Sequence, residues 1–155
     1  MRYLFFDIEC SDGFHMCEFG YVITDTFFNV LEKNIYVMNP EARFTLSLGK
    51  SGIKLYYKDQ DYKKAPTFKS FYNDIKDLIT YSDQLIIGHS ISNDANFLNI
   101  ACEKYGLEYI DFKFLDTQKL FSDLFDYSRQ ISLEEAKKVS KKVKKDEKRG
   151  WQEGD

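Results

Sequence analysis

The chain has 155 residues, 43% of them hydrophobic, with 25 acidic side chains against 22 basic ones and a formal net charge of −3. That length is enough to bury a real core, and that apolar fraction excludes a disordered or low-complexity chain. No apolar run approaches the roughly 18 residues that a spanning helix requires, so no membrane association is expected. Three cysteines, Cys10, Cys17 and Cys102, without a CxxC pair and without a secretory signal before the first apolar run, fit a reduced, cytoplasmic setting. Residues 137–155 carry a net charge of +4 and leave −7 on the remainder. An acidic body is awkward for handling a polyanion unless metals or a local basic patch offset its field.

In chain order, residues 2–8 read as a first strand, and Met16–Thr26 and Phe28–Val37 as a second and third, joined by a tight turn near Asp25. Short connections between consecutive strands predict an antiparallel meander. Asn39–Lys64 is polar and irregular and reads as a surface connection. Pro66 and the spacing of Phe68, Phe71, Ile75, Leu78 and Ile79 predict a helix over Thr67–Tyr81. A strand over 84–88, a helix over Ser92–Tyr105 ended by Gly106, a strand near 111–115 and a helix over Thr117–Phe125 follow. Ser132 and Glu135 form a capping-box signature for a last helix. Strands alternating with helices after a meander predict one α/β domain over 1–155, a mixed sheet with helices on its faces.

The first strand ends with Asp7 and Glu9. Alternation places their two carboxylates on one face of the strand, with Ile8 turned to the other. Two adjacent anions repel, and hard oxygen ligands suit Mg2+ or Mn2+; a strand running out into a polar turn is the plainer reading of that pair alone. Asp94 falls in the first turn of a helix beyond the C-terminal end of a strand, where ligands collect in open α/β sheets. The dipole at a helix start favours an acidic residue there in any case.

Phe6-Asp7-Ile8-Glu9 together with the stretch from Gly88-His89-Ser90 to Asp94 and Leu98 resembles the first two motifs of the DEDD (DnaQ-like) 3′–5′ exonucleases. Cys17 to Asp25, Ala65-Pro66-Thr67-Phe68 and Phe114-Leu115-Asp116-Thr117 match further stretches in the same order, so the likeness covers about residues 2–125. It implies a ribonuclease H-like fold: a three-strand antiparallel meander plus parallel strands, with helices on both faces. It also implies a metal-dependent 3′–5′ exonuclease that releases nucleoside monophosphates from a free, single-stranded 3′ end of DNA or RNA. In such a site two Mg2+ or Mn2+ ions, roughly 3.5–4 Å apart, serve the attacking and leaving oxygens. By resemblance Asp7 bridges them, and Glu9 and Asp94 complete the set.

Nucleotide contacts are implied for Ile8, Cys10, Ser11 and His89. Ser11 equally suits capping of the turn, and His89 suits a structural hydrogen bond at a strand end. The family's third motif, which supplies a fourth aspartate and a His or Tyr base, has no match. The two histidines, His15 and His89, lie elsewhere, and Tyr127 has no aspartate four residues on. Either the natural protein continues past Asp155 through that motif, which the loop-like Gly150 to Asp155 favours, or the base has been lost. A non-catalytic nucleic-acid-binding module and a phosphodiesterase for short oligonucleotides are the alternatives. The lysines over 137–148 read as a solvated helix face or, less simply, as phosphate contacts.

Overall fold

The computed structural model describes residues 1–45, 55–124 and 132–141. Its strands are β1 (Arg2–Cys10), β2 (Met16–Thr24), β3 (Val30–Val37), β4 (Gln84–Gly88) and β5 (Phe114–Asp116). The helices are α1 (Asp59–Lys64), α2 (Phe68–Ile79), α3 (Ile91–Lys104) and α4 (Thr117–Leu124), and residues 133–141 form a further helix, α5. The strands make one five-stranded sheet in the order β3-β2-β1-β4-β5. β1 and β2, and β2 and β3, pair antiparallel, whereas β4 lies parallel to both β1 and β5. This is the mixed sheet that the sequence predicts.

Alternation along β1 sorts its residues sharply. Leu4, Phe6, Ile8 and Cys10 are buried, while Asp7 between them is exposed. Across the sheet the buried face continues through Phe19, Tyr21, Ile23 and Ile86. Phe68, Tyr72, Ile75 and Ile79 of α2 and Ile91, Leu98, Ala101 and Cys102 of α3 close over it. The buried positions of α2 recur at helical spacing, which is why one stripe of that helix and no other meets the sheet. Burying side chains of this size contributes about 1.5–3 kcal/mol each relative to exposure. The opposite face carries Asp7, Glu9 and their neighbours.

Several boundaries differ from the sequence reading. β1 runs two residues further, to Cys10, paired with β2 up to a register shift after Glu9. β3 starts at Val30, not Phe28, because the Asp25 carboxylate takes the N–H groups of Phe27 and Asn29 and Phe28 adopts φ 65°. The polar stretch before Lys64 contains a helix, α1, whose Tyr62 is fully buried with Cys17 and Leu55. β5 is only three residues long and falls later than 111–115; Ile110 and Phe112 pack against the core instead of joining the ladder. α2 spans 68–79, its end marked by the Thr80 hydroxyl donating to the Lys76 carbonyl at 2.6 Å. Gly106, at φ 63°, ends α3 as the pattern requires, and Leu107 N–H reaches back to the Cys102 carbonyl at 2.8 Å. The Ser132 cap of α5 is present, its hydroxyl accepting the Glu135 N–H at 3.2 Å.

Gly88, at the last position of β4, is a point of close approach. A Cβ there would lie 2.8 Å from Ile91 Cδ1 and 2.9 Å from Ile91 Cβ, and Ile91 is fully buried at the start of α3. Gly88→Ala is therefore expected to destabilise the fold by about 1–3 kcal/mol, read as a lower denaturant midpoint with an unchanged slope. A midpoint equal to that of the wild-type chain contradicts this packing.

Candidate active site

The parallel pairing of β1 with β4 sets Phe5 beside Ile87. Two residues further along each strand stand Asp7 and His89, so the C-terminal ends of both strands open at the same sheet edge. A groove of about 1000 Å³ lies over this face. Asp7, Glu9, Glu18 and His89 border it, with Gly20 leaving room opposite Asp7. Phe5, Val22, Ile35 and Ile87 form an apolar floor, and Lys33, Thr117 and Leu133 complete the wall.

Asp94 reaches the site from behind. It occupies the first turn of α3, is 7% exposed, and accepts the Ile8 N–H at 3.2 Å, which holds it against the β1 backbone between Asp7 and Glu9. The Asp7 and Glu9 carboxyls act on each other along one face of β1. Burial, the charges of Asp7 and Glu18, and the bond to Asp7 push the Glu9 carboxyl up to about 7. Burial and the charge of Asp7 push Asp94 to about 7 as well, with Glu9 and Asp116 adding to the effect and the Ile8 N–H opposing it. Loss of water raises Asp7 too, against the hydrogen bonds from Glu9 and Ile8. Desolvation combined with like charge is a pattern found at functional sites.

Asp116 organises the junctions beneath. Its Oδ1 accepts the N–H groups of Ser90 and Gln118, both at 2.9 Å, so it joins the start of α3 to the start of α4 and supports Ser90 at φ 57°. Thr117 Oγ1 donates to the Gly88 carbonyl at 3.2 Å and lies 3.1 Å from His89 Nδ1. With the hydroxyl proton engaged by that carbonyl, Nδ1 is the donor to Thr117. His89 thus has a structural bond, as one sequence reading held, and also faces the groove.

The structure therefore brings Asp7, Glu9, Asp94 and His89 together. It does not bring the side chains of Ile8, Cys10 and Ser11 to the groove wall. Strand alternation sends Ile8 and Cys10 into the core, and Ser11 is fully buried with no hydrogen-bond partner for its hydroxyl among the described residues. The Cys10 thiol, pushed up to about 12 by burial and the nearby carboxylates, is not a nucleophile. His15 is tied to Asp12 at 2.6 Å and borders a separate small recess beside Met16 and Phe68. Sequence reasoning missed Glu18; its direct pairing with Glu9 across two strands was the signal that could have found it. Of the aspartates after Asp116, Asp123 lies exposed on α4, whereas Asp126, Asp146 and Asp155, with Tyr127, lie outside the described residues, as do the lysines from 142 to 148. Lys137, Lys138 and Lys141 are exposed on α5.

Among the described residues no group of three or more His, Cys, Asp or Glu stands in a geometry that could hold a metal ion as it is. The donor chemistry still fits a hard divalent ion. Every candidate ligand is a carboxyl, the hard oxygen donor that such an ion takes, and a bound dication would bring the raised pKa of Glu9 and Asp94 back down.

Solved structures with the same architecture include exonucleases. The nuclease domain of 3'hExo, a DEDDh family member, bound to rAMP, superposes with a TM-score of 0.65 at 18% identity, over 81% of this chain and 70% of that one. A 3′-exonuclease described in 3′-end-specific recognition of the histone mRNA stem-loop gives 0.61 at 18% identity, over 81% of this chain and 49% of that one. Exonuclease I with bound product gives 0.64 at 17% identity, over 80% of this chain and 31% of that one. The chain thus has the DnaQ-like, ribonuclease H-like exonuclease fold. It spans about half of the second of these chains and less than a third of exonuclease I. No protein-family model matches it, and no curated protein does.

The acidities fix a pH dependence. Between the ordinary carboxylate value near 4 and about 7, the folded chain holds protons on Glu9 and Asp94 that the unfolded chain has released. Its metal-free stability must therefore fall as pH rises through that window. In EDTA the Tm difference between Asp94→Asn and the wild-type chain is expected to move in favour of the variant from pH 5 to pH 7.5. A difference that stays constant across that range contradicts the raised pKa.

Proposed function

We propose that the chain is a metal-dependent 3′–5′ exonuclease that hydrolyses phosphodiester bonds at single-stranded 3′ ends of DNA or RNA and releases nucleoside monophosphates. The observation that carries this reading is the Asp7–Glu9 pair on the groove wall with Asp94 fixed behind it by the Ile8 N–H. A purely structural sheet edge gains nothing by gathering three carboxyls of like charge at one point. The exonuclease fold supports the same class of activity.

Asp7, Glu9 and Asp94 would hold two Mg2+ or Mn2+ ions. When bound, such ions would raise the acidity of a water and neutralise charge on the attacking and leaving oxygens. The chain's own residues prepare the rest. Asp7 and Glu9 present oxygens to the groove from one strand, so their spacing is set by the pleat and not by a mobile loop. The apolar floor of Phe5, Val22 and Ile87 offers contact to a base. Lys33, on the same wall, offers a positive charge to a phosphate. His89, oriented by Thr117, would make a polar contact with the nucleotide.

Asp7→Asn keeps the size of the side chain and removes one charge. In Mn2+, the wild-type chain is expected to shorten a 3′-labelled single-stranded oligonucleotide stepwise to mononucleotides, and the variant to do so at least about 10²-fold more slowly with a Tm in EDTA no lower than that of the wild-type chain. Binding of the oligonucleotide without Mn2+-dependent shortening by the wild-type chain would favour a non-catalytic nucleic-acid module instead.

A further inference from the structure

Glu18 belongs to none of the motifs that resemble the exonucleases' metal ligands, yet it borders the same groove. It lies on β2 directly opposite Glu9 and is 6% exposed. The hydroxyl of Tyr62, a fully buried residue of α1, donates to its carboxylate. The Tyr57 N–H in turn donates to that hydroxyl at 3.1 Å. A buried acid facing another acid across two strands is a costly arrangement, because like charges directly opposite each other destabilise a sheet and burial penalises the ionised form.

The fold alone does not call for that cost. A glutamine at position 18 would accept the Tyr62 hydrogen bond through its own oxygen and would relieve the repulsion. What it could not supply is a fixed negative charge beside Glu9. Tyr62 is wedged between Cys17 and Leu55, so the bond that it makes anchors Glu18 from the protein side and keeps it from swinging out into water.

We propose that Glu18 is a positioning residue of the carboxylate site, holding a negative charge against Glu9 that strengthens capture of a divalent cation by Asp7, Glu9 and Asp94. The proposal rests on the reading of the groove as a divalent-metal site. Its cost to the fold and its benefit to cation binding come from the same charge. The two effects should therefore separate in one substitution.

The test is Mn2+ titration of the wild-type chain, Glu18→Gln, Tyr62→Phe and Asp7→Asn at pH 7.5, with the Tm of each recorded in EDTA. Glu18→Gln is expected to keep or raise the Tm while weakening Mn2+ binding by about ten-fold, the effect of losing one unit charge near a dication in a partly screened site. Tyr62→Phe keeps the charge but releases it, and is expected to lower the Tm and weaken Mn2+ binding by about two- to three-fold. Equal Mn2+ affinity in Glu18→Gln and the wild-type chain overturns the proposal and leaves the metal site standing. If Glu18→Gln does not fold, Tyr62→Phe decides, and an unchanged affinity in that variant overturns it. Wild-type binding no tighter than that of Asp7→Asn overturns the metal site and this role with it.

Discussion

Asp94 accepts the Ile8 N–H at 3.2 Å, and through that bond the first turn of α3 is pinned to β1 between the two carboxylates that β1 presents. Everything at the groove depends on this joint. A carboxylate brought up to two others gains nothing electrostatically, so it must be held there by something stronger than its own preference. The Ile8 N–H, the α3 dipole and the buried Ile91 at the start of the helix provide that hold. Burial and the repulsion that remains appear as the raised pKa of Glu9 and Asp94. That repulsion is the energetic reserve on which cation binding would draw.

The joint needs a tight strand-to-helix junction, and local chemistry supplies it. Gly88 has no side chain, so Ile91 can close directly over the end of β4. Ser90 takes up a left-handed conformation that costs about 1–2 kcal/mol for a residue with a Cβ. Asp116 offsets that cost by accepting the Ser90 N–H and the Gln118 N–H on one oxygen. Asp116 is therefore more than the helix cap that its place before Thr117 suggests, since it links two crossover junctions on adjacent parallel strands.

The sheet and the face bearing Asp7 and Glu9 were legible from sequence because period-2 alternation through Leu4, Phe6 and Ile8 leaves little choice of register. The same alternation takes the Ile8 and Cys10 side chains away from the groove, which a motif read as a string of adjacent residues hides. α1 was not legible: six residues with a single buried aromatic give too short a period to stand out from a polar connection. Nor was the start of β3, where one aspartate captures two backbone N–H groups and delays the strand. Glu18 escaped notice for a different reason. Its environment is created by Glu9 from the neighbouring strand and by Tyr62, 44 residues away, and no local pattern encodes a partner at that distance.

The central claim is that Asp7, Glu9 and Asp94 form one cation site at the open end of β1. Its most direct test is a crystal structure of the chain soaked in Mn2+, with the metal located by its anomalous scattering. Density between these three carboxylates, with Asp94 still bound to the Ile8 N–H or turned from it onto the metal, is the predicted result. Mn2+ bound only at other carboxylates, or none at concentrations that saturate the protein in solution, would contradict it.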